Sequence, residues 1–312
     1  MNAARAKTVV GVGLAVQDVL ILWRDMSAPV RDTRAADVQL QGGGMTGTAL
    51  VAAARLGARA QLWGAVGDDW AGRMILRDLD AEGVDVSHVA VVAGAAGPLV
   101  LVCVDEPTGQ RHFQYGRGLK FDARPPGLTE ALAEAGCLLV DGFCPSAARA
   151  AAAEARRIGV PVVADVGGLS DAMRDLLGLV DYAIVNEPTG RKLDADPRRA
   201  CEQIRALGPT TAAITLGDRG SVCLGDAGYV ETPAFAVDVV DTTGAGDVFH
   251  GAFCHGLVTG LDLTDNLLFS SAVAALKCRQ LGGRAGCPTL PEVTAFLAER
   301  DRPIPALEDA PS

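Results

Sequence analysis

The sequence predicts an α/β domain: a central, mostly parallel sheet with helices on both faces, plus a small β-sheet lid. Three observations predict it. From about residue 128, helix and strand patterns alternate: helix 128–135, strand 137–141, helix 146–158, strand 160–165, helix 170–178, strand 181–185, helix 197–207 and strand 211–216. Such alternation requires parallel strands joined by crossover helices. With 312 residues and 49% hydrophobic content, the chain can bury a large core. Extended runs within 14–41 and 89–115 fall outside the repeat and suit a separate small sheet, a lid or a subunit interface.

Taken in order, Thr8 to Gly13 is a short β-branched run that reads as a buried first strand. Its two glycines lack the third of a dinucleotide fingerprint, because Val16 stands there. Asp18 follows, where a carboxylate at a strand end faces either a ligand crevice or solvent. Gly42-Gly43-Gly44 precedes an alanine-rich helix through Leu56, and three glycines permit close backbone approach or a flexible turn. Gln61 to Val66 reads as a strand, and a helix opened by Asp68-Asp69 runs to Glu82. Val89 to Val92, Leu99 to Val104 and Arg111 to Tyr115 are extended runs assigned, with 14–41, to the small sheet. In the parallel repeat, Asp141, Asp165, Asn186 and Thr215 fall at carboxyl strand ends, where such sheets bind ligands. Later come a turn at Gly217 to Gly220, helices 265–280 and 291–300, and a proline-rich, acidic segment 301–312 that reads as disordered.

The net charge of −10, with no long Lys/Arg run, argues against a nucleic-acid partner. The eight cysteines form no C-x-x-C pair and read as reduced, buried thiols. The N-terminus lacks a signal-peptide core. No window of about 18 apolar residues is uncharged, so the chain is expected to avoid membranes and be cytoplasmic.

One stretch carries the chemistry: Val239-Val240-Asp241-Thr242-Thr243-Gly244-Ala245-Gly246-Asp247, followed by apolar residues at helical spacing. It reads as strand, tight turn and helix N-terminus, whose N–H groups and dipole make an anion hole suited to phosphate. Asp247 in the first turn is either a helix cap or a base for an attacking hydroxyl. No Walker-type G-x-x-x-x-G-K-[ST], zinc motif or nucleophile elbow occurs. His250 and His255 read as structural. Phosphoryl transfer by positioning and electrostatics fits what remains.

Asp241-Thr242-Thr243-Gly244-Ala245-Gly246-Asp247, with Phe249 and Gly251, resembles the signature of ribokinase (PfkB-type) carbohydrate kinases. Gly43-Gly44 before the helix ending Ala54-Arg55-Leu56-Gly57, Gly64 to Asp69 with Gly72, and Thr215 to Gly220 resemble further motifs of that family, over about 8–300. The resemblance implies a single ribokinase-like domain that moves the γ-phosphoryl group of ATP to a primary sugar hydroxyl. Asp247 would be the base, with the amides of Gly244, Ala245 and Gly246 holding the phosphoryl group. Asp18, Gly43, Gly44 and Thr48 would bind sugar, while Asn186, Thr215, Gly217 and Gly220 would line the side of ATP and Mg²⁺. Asp241 and the 277–286 loop match a K⁺ site of many members, and residues 14–41 and 95–118 match the family's β-sheet lid, which implies a homodimer.

Two departures stand out. Thr48 replaces the usual Asn of the first motif, and Thr189 replaces the Glu that helps organise Mg²⁺, with Glu187 nearby. Gly42 to Thr48, Val237 to Gly251, Val273 to Cys278 and Gly282 to Gly286 are similar to the sulfofructose kinases, which implies 6-deoxy-6-sulfofructose as a substrate. Fructose-like, ribose-like, deoxyketose-like and other sugars are the alternatives, and a catalytically silent sugar- or nucleotide-binding regulator on the same fold is the alternative of another class. Phe143 stands where that subgroup carries a sulfonate-reading Arg; Gln114 matches its lid Asn, and Arg31 or Asp32 its lid Lys. Arg34, Arg111 and Arg117 are further candidates for holding an anionic group.

Overall fold

Which helices a strand residue meets is decided by the alternation of side chains along the strand. The computed structural model describes residues 7–25, 35–108, 111–116, 119, 121 and 126–308. The chain begins with β1 (Thr8–Val12), β2 (Val16–Trp23), β3 (Asp37–Gly43), α1 (Met45–Arg55), β4 (Arg59–Gly67) and α2 (Trp70–Ala81). Then come β5 (Val84–Asp85), β6 (Val89–Val92), β7 (Leu99–Asp105), β8 (Arg111–Tyr115), α3 (Leu128–Glu134), β9 (Cys137–Asp141), α4 (Pro145–Ile158) and β10 (Val162–Val166). Next are α5 (Asp171–Leu177), β11 (Tyr182–Asn186), α6 (Glu187–Gly190), α7 (Pro197–Arg205), β12 (Thr211–Thr215), β13 (Ser221–Gly225) and β14 (Gly228–Thr232). The chain closes with α8 (Ala245–Thr259), α9 (Leu263–Lys277), α10 (Leu290–Ala298) and α11 (Pro305–Glu308).

The ten-stranded sheet has the order β14-β13-β12-β11-β10-β9-β1-β4-β5, with β6 also on β4. Only β13 runs against the other strands, pairing antiparallel with β12 and with β14. One face, with Val10, Leu138, Val140, Val162 and Ala164, packs under α3, α4, α5 and α7. The other, with Val9, Leu62, Leu139, Val163 and Ile184, packs under α1, α2 and α8. Strand parity therefore sets Asp141 and Asp165 on the α1/α8 face, beside the anion-hole helix. Burying Phe253 and Leu50 on that face contributes about 1.5–3 kcal/mol each.

The second sheet has the order β3-β2-β7-β8. Its inner face carries Leu20, Val100, Val102 and Val104, which pack with Leu281. Register adds Asp18, Arg111, Phe113 and Tyr115 to that face. Val38 and Leu40 belong to the outer face and are 57% and 51% exposed.

Two expectations change. Val89 to Val92 does not join the small sheet; it pairs in parallel with Gly64 to Gly67, extending the edge that β5 starts on β4. Part of the segment expected to be disordered packs down: Ile304 and Leu307 are buried against Val293, Phe296 and Leu297. Two apolar side chains at helical spacing outweigh the surrounding prolines and acids. Residues 309–312 lie outside the described residues.

Candidate active site

The turn into α8 is held from behind rather than by the sheet. The apolar run before it is no strand: Val239 and Val240 are 60% and 62% exposed. The N–H groups of Val240 and Asp241 both donate to Cys278 O, 2.8 and 3.1 Å away at the end of α9. Asp241 Oδ1 accepts from Thr243 N–H at 2.8 Å and from its hydroxyl at 2.7 Å, and Oδ2 accepts from Gly282 N–H at 2.8 Å. Gly244 has φ +75°, and a Cβ there would stand 2.7 Å from Gly283 O. Only glycine meets both conditions. Ala245 N–H turns back to Thr242 O at 3.2 Å, so of the three expected phosphoryl donors this amide is already engaged. The N–H groups of Gly246 and Asp247 have no acceptor among the described residues. They are the open donors of the helix end.

Around Asp247 lies a group of costly carboxylates. Burial pushes Asp247 up to about 7, with the charge of Asp165 adding to the rise and His250 opposing it. Burial, then Asp141, lifts Asp165 to about 8, and Asp165 Oδ2 has no hydrogen-bond partner among the described residues. His250 is held neutral by burial; its Nδ1 lies 2.7 Å from Gly246 O and 3.6 Å from Asp165 Oδ2. Asp141 is fully buried and structural. It accepts from Leu14 N–H at 2.7 Å, the Thr46 hydroxyl at 2.7 Å and Phe143 N–H at 2.9 Å, tying β1, α1 and β9 together.

Asp18 lies against Gly43, where any Cβ would overlap its carboxylate. Burial raises Asp18 to about 7; Arg284 opposes that rise and Asp247 adds to it. Arg284, which sequence reasoning missed, is 5% exposed, and its Nη2 donates to Gly43 O at 2.5 Å. Its Nε donates to Thr48 Oγ1 at 3.3 Å, so the Thr48 hydroxyl serves Arg284. Gly44, at φ +89°, is the N-cap of α1 and has no room for a Cβ beside Leu14 O. Gln114 pairs with Leu101 on the outer face of the small sheet, so it is not brought to Asp18. Arg111 reaches the signature turn instead, its Nη1 donating to Thr243 Oγ1 at 2.9 Å. Phe143 packs its ring against the α4-side core. Arg31, Arg34 and Arg117 lie outside the described residues.

On the other side of the turn is an apolar cavity of about 460 Å³ lined by Thr215, Gly217, Gly220, Phe235, Val237, Val239, Gly246 and Ala275. Gly217, at φ +64°, leaves its Cβ side open to close approach. Asn186 caps α6, its Oδ1 accepting from Thr189 N–H at 2.9 Å. Thr189 is buried and its hydroxyl donates to Gly167 O at 3.2 Å. Glu187 turns away, bound by Arg191 at 2.5 Å and by Arg219. No cluster of three or more His, Cys, Asp or Glu among the described residues could hold a metal on its own. No described helix is long and apolar enough to cross a membrane.

An anion hole with a carboxylate in its first turn, between a polar pocket and an apolar cavity, matches a known design. Residues 6–290 match the model of the pfkB family of carbohydrate kinases. The chain belongs to that family. The kinase is 27% identical over 301 residues to the ribokinase of Haemophilus influenzae, covering 93% of this chain and 98% of that one. It is 30% identical over 280 residues to an ATP-dependent ribose-1-phosphate kinase of Halopiger xanaduensis, covering 88% and 91%. The structure of Arabidopsis thaliana ribokinase complexed with ribose and ATP superposes with a TM-score of 0.83 at 25% identity, covering 93% and 98%. The kinase is thus an ATP-dependent phosphotransferase with a sugar alcohol group as acceptor, on a ribokinase-like fold.

Proposed function

We propose that this kinase phosphorylates a primary hydroxyl of a small, uncharged sugar of the ribose or ketohexose kind, with Asp247 as the base. The observation that carries the reading is Asp247 itself, poised near 7 at the open N–H groups of Gly246 and Asp247 and at electrostatic range of Asp18. The sugar hydroxyl gives its proton to the Asp247 carboxylate as its oxygen forms the new bond to the γ-phosphorus. The bond to the β-phosphate oxygen breaks, and ADP leaves with that electron pair. Gly246 and Asp247 amides hold the negative charge of the phosphoryl oxygens. Asp18 and the Gly43–Gly44 backbone take sugar hydroxyls; Thr215, Gly217 and Gly220 border the nucleotide.

Mg²⁺ bound with ATP would supply charge to the β,γ-phosphates. The residues fit it despite Thr189, because the buried Asp165 Oδ2 has no hydrogen-bond partner among the described residues and oxygen ligands, direct or through water, suit this ion. Asp165 and Asn186 would hold it.

An uncharged sugar is favoured because Phe143 is apolar where that subgroup carries its Arg, Arg111 is bound to Thr243, and Arg284 gives Nη2 to Gly43 O, leaving only its buried Nη1 without a hydrogen-bond partner among the described residues. 6-Deoxy-6-sulfofructose is the second reading, on the motif likeness of Gly282-Gly283-Arg284-Ala285-Gly286. ADP release measured over ribose, fructose, sulfofructose and nucleosides tests both. The expected order puts ribose or fructose first by kcat/KM. Sulfofructose first would overturn the uncharged-sugar reading, and no turnover with any sugar would overturn the function. Asp247→Asn should abolish most turnover while ATP and sugar still bind.

A further inference from the structure

Lys277 is the last residue of α9 and is fully buried. Its Nζ donates to Asp241 O at 2.9 Å, directly behind the turn that leads into Gly244, Ala245 and Gly246. An ammonium is costly in such a place unless something compensates its charge. The compensating group is Asp241, whose carboxylate is fixed by Thr243 and Gly282. Arg111, the other cation near the turn, opposes the Lys277 charge.

The resemblance places a monovalent cation at this turn, and the residues present do not fit one. Both Asp241 carboxylate oxygens accept N–H donors, and its carbonyl oxygen accepts an ammonium. A free ion would share a buried space with a fixed positive charge. We infer that Lys277 is a positioning residue that supplies this positive charge as part of the chain, holding the Asp241 turn and so the anion hole in place, and that the kinase takes no K⁺ there.

The inference rests on the kinase activity and not on which sugar is used, so it is tested with whichever acceptor turns over. Initial rates and melting temperatures of the ligand-free protein are compared in KCl, NH₄Cl, NaCl and choline chloride at equal ionic strength. Wild-type rates should agree within about twofold, and K⁺ should give no melting shift beyond that of Na⁺. Lys277→Met, which keeps the volume without the charge, should lower kcat by about tenfold or more with little change in ATP affinity. Lys277→Ala, which leaves room for an ion, should regain rate saturably with K⁺ or NH₄⁺. A K⁺-specific, saturable activation or melting shift of the wild type would overturn the inference. So would an unchanged kcat in Lys277→Met, or a Lys277→Ala protein that no cation rescues. If neither variant folds, the wild-type ion series still decides.

Discussion

The carboxylate of Asp18 and the guanidinium of Arg284 both rest on Gly43, one where a Cβ would be and the other on its carbonyl oxygen. The two charges oppose each other across a position with no side chain. Gly42 and Gly47 leave space for the same guanidinium, since a Cβ on either would crowd it. Gly42, Gly43 and Gly47 are thus a mould for one buried arginine and one buried aspartate, which decides for close approach over a flexible turn at the first two glycines of the 42–44 run.

Gly43→Ala tests that mould. The added methyl must displace the Asp18 carboxylate, an overpacking that costs about 1–3 kcal/mol. Sugar KM should rise about tenfold or more while ATP KM stays put. An unchanged sugar KM would mean that Asp18 does not serve the sugar.

The buried carboxylates make a pH prediction with a definite sign. Asp18 and Asp247 at about 7 and Asp165 at about 8 keep protons that the unfolded chain has lost above about 4. In that window the folded state binds more protons, so their contribution is fully present below about pH 4 and lost as pH rises through 7 to 8. Asp165→Asn removes the largest of these losses and should stabilise the ligand-free protein at pH 8 by about 1–4 kcal/mol, with no gain near pH 4. The kcat/KM of the wild type should rise with pH through an apparent value near 7, the coupled set ionising as one. In Asp165→Asn that limb should move to lower pH, because Asp165 helps raise Asp247. Urea unfolding and a pH–rate profile measure the two effects, and a limb that stays in place would remove Asp165 from the site.

Strand ends were legible because the apolar runs are short and turn-bounded, so Asp141, Asp165, Asn186 and Thr215 sit where the repeat implies. What each does was not: Asp141 and Asp165 share a face, yet one is saturated with donors and the other is not. Gln114 was misjudged because a sheet side has a period of two, and nothing in residues 111–115 fixes its parity. Lys277 and Arg284 left a faint trace, a lone cation ending an apolar helix and another between glycines. Their partners are 36 and 241 residues away, a pairing only the fold supplies.

Glu187 offers a sharper test of the altered metal motif. It is bound to Arg191 and Arg219 and directed away from Thr189. Solvent screens pairs of this kind, so they contribute little. Glu187→Gln should therefore leave the Mg²⁺ dependence of the rate intact and change ATP KM by less than about fivefold. A large rise in the Mg²⁺ concentration needed for half-maximal rate would make Glu187 the metal-organising group after all.

The outer face of the small sheet bears on assembly. Val38 and Leu40 on β3 are more than half exposed, and Val19, Ile21 and Leu101 continue the apolar surface across β2 and β7. A contiguous apolar sheet face of this kind is more often an interface than free surface, and we propose that it pairs two copies of the kinase. Leu40→Glu would bury a carboxylate at the centre of that contact, without touching Asp18 or Gly43 on the inner face. Sedimentation at about 10 µM should find a dimer for the wild type and a monomer for Leu40→Glu. A monomeric wild type would leave the face without a second copy, and a dimeric variant would move the interface elsewhere.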